Sequence, residues 1–589
     1  MAVSNDVDER RREGGDPVEQ RFREALALHQ QGRTDEAAES YRSVLERQPR
    51  HVQALTFLGV IALQSNETDL AVELTSRAIA VDPASAAAHV VQGHVLLQQG
   101  RHAEAEASYA RALRLKPDMA DVHLQRGHVL GELHRHEDAL ASYDRAIAVN
   151  PHSAEAYDSR GTALVALRRH EAALASYERA IALKPEYAQP HLNRGNVLSE
   201  LGHWDAALAS YDTALALSPG DPSIYCNRGN LLGDLGRYAE ALASLDRAID
   251  IDAEHAQAHF SRAFVHLVRG DLLPGWRDFE WRWRNEHCVT IREKRDFVQP
   301  FWLGDADIAG KTLLVHCEQG LGDTLQFCRY LSLLAELGAT VICEVPRPLL
   351  DLLVSIRGVA QWVLPGEPLP AFDYYCPLLS LPLAFKTTLA NIPSAVPYLR
   401  ASAARERHWR EKLGARSGAR VGLVWSGGFR PDQPELWSVN ERRNIPLALL
   451  ASLRHPGVEF YSLQKGQPAE GELATLLAQG WHGPTLLDHT REFHDFNETA
   501  ALIEQLDLVI SVDTSTAHLA GALGKPVWIL NRFDTCWRWL LERTDSPWYP
   551  TARVYRQERA GDWESVIEKV RGDLDQFARA VAAWMESDQ

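Results

Sequence analysis

Two periods of hydrophobic and polar positions divide this chain. From about residue 18 to 288, apolar and small residues recur at helical spacing in paired segments joined by short polar turns, and the pair repeats every 34 residues. Prolines fall at 49, 83, 117, 151, 185 and 219, glycines at 59, 93, 127, 161, 195 and 229, and alanines at 71, 105, 139, 173, 207 and 241. In "MADVHLQRGHVLGELHRHEDALASYDRAIAVNPH" the small residues mark where two helices cross closely, and the proline ends the second. An eighth unit begins at His255 and leaves the pattern at "GDLLPGWRDFEWRWR", where Trp276, Phe279, Trp281 and Trp283 supply apolar surface in place of a further repeat. This segment reads either as a cap that docks the array on the next domain or as an aromatic ligand patch.

After Lys311 the pattern changes to buried-strand runs alternating with amphipathic helices. "KTLLVHC", "ATVICEV", "RVGLVW", "VEFYSL", "DLVISV", "KPVWIL" and "ARVYRQ" read as strands, and "TLQFCRYLSLLAELG" as a helix closed by glycine. The organisation predicted is a disordered leader at 1–17, a repeat array at 18–288 of about seven repeats plus the Trp-rich capping unit, and a linker at 289–310. A first α/β lobe at 311–400, a linker helix at 401–417 and a second lobe with a C-terminal helix at 418–589 complete it. Such parallel sheets bind ligands beyond the C-terminal ends of their strands.

The first half strongly resembles the tetratricopeptide repeat, several positions of which recur in seven successive units. An array of this kind offers an extended concave face for a protein or peptide. The residue after each repeated glycine from 93 onward is His94, His128, Thr162, Asn196 or Asn230, and "NRGN" occurs twice, adding Asn193 and Asn227. Amides at fixed spacing are candidates for hydrogen bonding an extended peptide backbone; the competing reading is that they are solvated polar positions.

Composition narrows the function classes. At 589 residues the chain exceeds one core, and 45% hydrophobic with 24% charged residues suits a globular protein. A net charge of −17 argues against nucleic-acid binding through phosphate neutralisation. The polar opening stretch and the lack of long apolar runs predict no signal peptide and no membrane insertion. Seven scattered cysteines without a CxxC pair suggest neither a disulfide frame nor a zinc site, which points to a cytoplasmic protein.

Three loops carry candidate chemistry. "EQGLGDTLQF" has Glu318, Gly320, Gly322 and Asp323; its two glycines would let the backbone turn sharply and approach a ligand, and Asp323 opens a helix. "WSGGFRPDQPELWSVNERRNIPL" is long and holds Gly427, Gly428, Arg442 and Arg443; arginines entering a helix would call for an anion. "DTSTAHLAGALGKPVW" places Asp513, Thr514, Ser515, Thr516 and His518 between a buried strand and a helix, a ready phosphate site in which Asp513 would face hydroxyl groups instead. "GALGKP" lacks the P-loop spacing, and "DAD" at 305–307 falls in the linker.

Together, "GLGD" after the first strand and the "D-T-x-x-A-H-L-A-x-A-L-G-K-P" block at 513–526 resemble the family 9 glycosyltransferases, the bacterial heptosyltransferases, over about 311–556. The resemblance implies an α-solenoid of tetratricopeptide repeats followed by an α/β GT-B-like pair of Rossmann-type lobes. It implies an inverting transferase that uses a nucleotide-sugar as co-substrate and no metal. Asp323 matches the proposed general base. Gly320, Gly322, Gly427, Arg443, Asp513, Thr514, Ser515, Thr516 and His518 fall at donor-binding positions, Arg443 by position alone. The repeats suggest a protein or peptide acceptor. The alternatives are a scaffold with a degenerate or nucleotide-sensing transferase domain, and a transferase for surface polysaccharide or lipid.

Overall fold

The structure, a computed structural model, describes residues 16–286, 288–428 and 437–587. The expected leader lies outside these except for Asp16 and Pro17, where the first helix, Pro17–Gln30, begins with Asp16 as its cap. The loop segment 429–436 also lies outside them. The chain divides into two compact units, Met1–Asn227 and Arg228–Gln589.

The first unit is a stack of antiparallel helix pairs, among them Ala120–Glu132 with His136–Val149 and Ala154–Ala166 with His170–Leu183. Its periodic residues have physical reasons. A Cβ on Gly127, Gly161 or Gly195 would stand 2.4–2.6 Å from the ring of Tyr143, Tyr177 or Tyr211, so glycine is what lets the two helices of a pair close on a buried tyrosine. His89, His123 and His191 each place Nε2 2.9–3.3 Å from the carbonyl of the proline six residues earlier, tying one repeat to the next. Ser85 and Ser153 cap the helices that start just after them.

The second unit starts with the last repeat-like helices, Tyr238–Ile251 and Ala256–Arg269, and the capping helix Leu272–Phe279. Trp276 and Phe279 are buried in one core with residues of the α/β region. The Trp276 indole donates to the Thr387 carbonyl at 3.1 Å and meets Trp537 edge-on at 5.2 Å. Two parallel sheets complete the unit. One is built from β1 (Thr312–His316), β2 (Thr340–Glu344), β3 (Val359–Val363) and β4 (Tyr374–Pro377) in the order β3-β2-β1-β4. The other holds β5 (Ala419–Val424), β6 (Val458–Ser462), β7 (Leu486–Asp488), β8 (Leu508–Val512), β9 (Val527–Asn531) and β10 (Ala552–Arg556) in the order β10-β9-β8-β5-β6-β7.

Strand order positions the site. In the first sheet the connections run outward on either side of β1, so the order reverses between β1 and β4. In the second it reverses between β5 and β8, which pair through Leu423 and Ile510. A crevice opens at such reversals beyond the strand ends. The loops there are those after β1, β5 and β8, the three that carry the candidate chemistry.

Candidate active site

At the end of β8 the chain passes through Asp513 and Thr514 into the helix Ser515–Ala522. Thr514 is the N-cap, yet its side chain makes no cap bond; its hydroxyl lies 3.0 Å from that of Ser511. The first-turn N–H groups are therefore not closed off by the expected cap, and the positive end of the helix faces the crevice. Asp513, Thr514 and Ser515 are partly exposed, whereas Thr516 and His518 are buried.

The loop after β5 meets this turn through Arg443. Its guanidinium donates to the Asp513 carbonyl at 2.9 Å and to the Asn440 side chain. A Cβ on Gly427 would lie 2.2 Å from the Arg443 guanidinium, so glycine there is the space the arginine occupies. The Gly427 N–H is held by Asn444 at 2.8 Å. One expectation is corrected here. Arg442 and Arg443 form the last turn of the helix Trp437–Arg443, not the first, so the helix dipole favours them and does not by itself demand an anion. The position of Arg443 rests on its contacts with Asp513 and Gly427.

Charge at this point is strongly tuned. Burial would raise the Asp513 carboxyl, but the positive charges of Arg443, Arg538 and Arg532 around it hold it below the ordinary range. His518 is itself pushed down to about 4, by burial above all. It is therefore neutral at pH 7, and the arginines supply the field that keeps Asp513 ionised. The His518 ring stacks on Trp539 at 5.3 Å, and Nδ1 lies 2.9 Å from the Tyr549 hydroxyl. His518 thus stands as a packed wall of the turn, its Nε2 3.8 Å from Asp513.

The β1 loop approaches the same turn. A Cβ on Gly322 would lie 3.1 Å from His518 and 3.4 Å from the Ser515 backbone, so this glycine permits the close approach of two helix starts. Gly320 is extended, at φ −92°; the left-handed residue of the turn is Gln319, at φ 65°. The sharp turn expected of two glycines is thus made by a glutamine, whose N–H is held by Glu293 at 2.8 Å. Asp323 accepts from the Gly320 N–H at 2.8 Å and forms an ion pair with Arg538. Its helix, Leu321–Phe327, is short and turns over its first residues on this bond.

Two features escaped the sequence reading. Arg538 lies in the Trp-rich loop after β9, and the signal for it was the density of tryptophan in "CWRWLLERTDSPWYP", a match in kind to the capping segment. The other is a buried cation under the β1 loop. Arg282 has no exposed side-chain surface, lies between the rings of Phe279 and Trp283, and pairs with Glu318 at 3.0 Å and Glu280 at 2.7 Å. Burial pushes Glu318 up to about 7 against the pull of Arg282. The aspartates of "DAD" cap local turns, accepting from the N–H groups of Leu303 and Ala309.

The repeat amides hold one another and their tyrosines. Asn196 accepts from the Tyr211 hydroxyl at 2.9 Å and from Asn227 at 3.0 Å. Asn193 donates to Asp158 at 2.9 Å and accepts from Gln189 at 3.0 Å. Burial pushes Asp158 up to about 6. Asn230 is exposed and belongs to the second unit. Among the described residues there is no group of three or more His, Cys, Asp or Glu side chains placed to hold a metal, and no helix is long and apolar enough to cross a membrane.

Comparison with known proteins agrees with the architecture. Tetratricopeptide repeat families match residues 22–80, 62–120, 96–160, 161–202, 195–236 and 222–255. Glycosyltransferase family 9 (heptosyltransferase) matches residues 450–530, which include the block after β8 but not the β1 loop. Protein FlbA of Caulobacter vibrioides is 30% identical over 349 residues, which make up 55% of this chain and 56% of FlbA. This chain therefore spans little more than half of that relative. Among solved structures, YrrB, described as a TPR protein with an unusual peptide-binding site, is 24% identical over 31% of this chain and 95% of its own, with a TM-score of 0.27. A tetratricopeptide repeat protein from Parabacteroides merdae is 16% identical over 43% and 99%, with a TM-score of 0.35. The first part of the chain thus matches tetratricopeptide repeat families, and residues 450–530 match glycosyltransferase family 9 (heptosyltransferase).

Proposed function

We propose that the second unit transfers a sugar from a nucleotide-sugar to an acceptor hydroxyl, and that the repeats recruit the acceptor, a protein or peptide. The observation that carries this reading is the turn after β8. An uncapped helix start, an arginine seated on a glycine and an ionised aspartate meet at the strand-order reversal, beside the β1 loop. The N–H groups of Ser515 and Thr516, their hydroxyls and Arg443 suit a diphosphate, and Asp513 suits the hydroxyls of a ribose or sugar.

In the transfer, the acceptor oxygen attacks the anomeric carbon as the bond from that carbon to the diphosphate oxygen breaks. The electron pair leaves with the nucleoside diphosphate, and the acceptor proton passes to the Asp323 carboxylate. Attack opposite the leaving group inverts the centre. Arg443 and the helix dipole stabilise the charge that develops on the diphosphate, a cation role supplied by the chain's own residues. The reaction takes place in the cytoplasm, where nucleotide-sugars are at hand.

Thermal unfolding of the full chain against UDP, GDP, ADP, CMP and their sugars tests this. A ligand at about a hundred times its dissociation constant stabilises the unit by about 2.7 kcal/mol, a shift that is readily seen. The shift is expected with one nucleotide class and lost in Arg443→Ala/Asp513→Asn. A folded protein that responds to none of them would leave the scaffold reading. One observation favours that second reading, of a domain that senses nucleotides without turnover: both carboxylate oxygens of Asp323 already have partners.

A further inference from the structure

The residue placed as base is tied down by one that the transfer does not use. Asp323 gives one oxygen to the Gly320 N–H and the other to Arg538. A carboxylate held this way has no oxygen open to an acceptor hydroxyl, because each already has a partner. Arg538 reaches it from the far lobe, on the short helix Trp537–Trp539 after β9. The two side chains keep 13% and 17% of their surface exposed, so the pair is not sealed from solvent.

The rest of the Arg538 environment is that of a movable cation. Its guanidinium lies 4.2 Å above the Trp537 ring, a flat platform that keeps a planar guanidinium stacked while its hydrogen-bonding edge changes partner. Its other bonds go to neutral groups, the Gln326 side-chain oxygen at 2.8 Å and the Cys536 sulfur at 3.3 Å. The Gln326 amide nitrogen is buried with no hydrogen-bond partner, so the group around Arg538 is not the fully satisfied network expected of a purely structural pair. The field of Arg538 is also felt at Asp513, which follows the neighbouring strand β8 on the same lobe.

We propose that Arg538 is a donor-sensing latch: without donor it pairs with Asp323, and the diphosphate of a nucleotide-sugar draws it away, freeing the carboxylate and adding a cation to the leaving group. This rests on the transferase reading. It also accounts for the observation that favoured a domain without turnover, since the base is held only while no donor is bound. Two oxygens of a diphosphate offer the guanidinium a bidentate partner of higher charge than one carboxylate oxygen. A donor lacking the second phosphate would leave Arg538 where it is. Arg538 is thus a positioning residue for Asp323 before donor binds, and a donor contact afterwards.

The test uses the full chain and calorimetric titration with UMP and UDP, GMP and GDP, and AMP and ADP. Wild type prefers the diphosphate of one base over its monophosphate. Arg538→Gln weakens the diphosphate about ten- to a hundredfold, the factor of one lost charged hydrogen bond, and leaves the monophosphate within about threefold. Arg538→Lys keeps part of the preference. Asp323→Asn is the sharper variant, since it removes the competitor for Arg538 without removing shape. It tightens the diphosphate by about three- to tenfold while abolishing turnover. Unchanged or weaker diphosphate binding by Asp323→Asn, or a preference that survives in Arg538→Gln, overturns the latch. Wild type that binds none of the six nucleotides overturns the transferase reading, and the latch with it. Should Arg538→Gln fail to fold, Asp323→Asn decides alone.

Discussion

Polar side chains in the first unit find their partners at fixed distances along the chain, while those at the strand ends of the second reach across scores of residues. His89, His123 and His191 bond six residues back; Arg160 and Arg194 reach serines 16 residues on; Asn196 meets Tyr211 at 15 and Asn227 at 31. Against these stand Arg443 with Asp513 at 70, Arg282 with Ser380 at 98, and Arg538 with Asp323 at 215. A repeat touches only its neighbours, so its stability is a sum of near terms. A parallel sheet brings distant loops to one edge, and there a single side chain joins several elements at once. The difference is one of consequence: a lost bond is local in the array and shared in the α/β unit.

The largest effect expected is at Arg282. Arg282→Met leaves the buried Glu318 without its cation, and costs about 3–5 kcal/mol, the figure for breaking a buried pair from one side. Arg282→Met/Glu318→Gln recovers much of it. The readout is built into the chain. Fifteen of its 16 tryptophans lie in Arg228–Gln589, with only Trp204 in the first unit, so fluorescence reports on the second unit and helical circular dichroism chiefly on the first. If the fluorescence transition of Arg282→Met moves no further than that of an exposed-site control, the pair is not the joint between capping segment and β1 loop.

A smaller effect comes from His518. Burial holds it at about 4, against 6.5 in the unfolded chain. The unfolded chain takes up a proton near 6.5 that the folded one refuses until about 4. The second unit therefore loses stability as pH falls through that window, by about 3 kcal/mol from this residue. In His518→Gln this contribution is gone. The gap between wild-type and variant unfolding free energies should narrow by that amount from pH 7 to pH 4. A gap constant with pH would mean that His518 takes up its proton as readily in the folded chain as in the unfolded one, and that burial does not hold it neutral.

The same contrast explains how much was legible in the sequence. The array could be read because its constraints recur: Gly127, Gly161 and Gly195 announce a close helix crossing three times over, although not that the partner is a tyrosine ring. The sheets could be read from apolar runs, so β1, β2, β5, β6, β8, β9 and β10 fall on segments that look like buried strands. By contrast β3 buries only its last residue, β4 is four residues long and β7 is three, too little pattern to stand out. At the site, the backbone signals of glycine and helix start were visible, and so was the block at Asp513. What could not be read was pairing. Arg442 and Arg443 looked like a helix entry because no sequence rule places a helix end inside a 23-residue loop. Arg538 carried no signal except the tryptophans beside it, because its partner is 215 residues away.

The smallest effect tests the array's side of the contrast. His89 and His191 are both buried, lie three repeats apart, and each bonds a proline carbonyl at 3.2 or 3.3 Å. His89→Phe and His191→Phe keep a ring in place and lose the bond, at a cost of about 0.5–1.5 kcal/mol each. If each repeat interacts only with its neighbours, the two costs are similar, and the double variant adds them to within about 0.5 kcal/mol. Urea denaturation monitored by helical circular dichroism measures all three variants on the same footing. A double variant that costs clearly more than the sum would make the array cooperative over three repeats, and the fixed spacing of its hydrogen bonds would then be no guide to how far a local loss is felt.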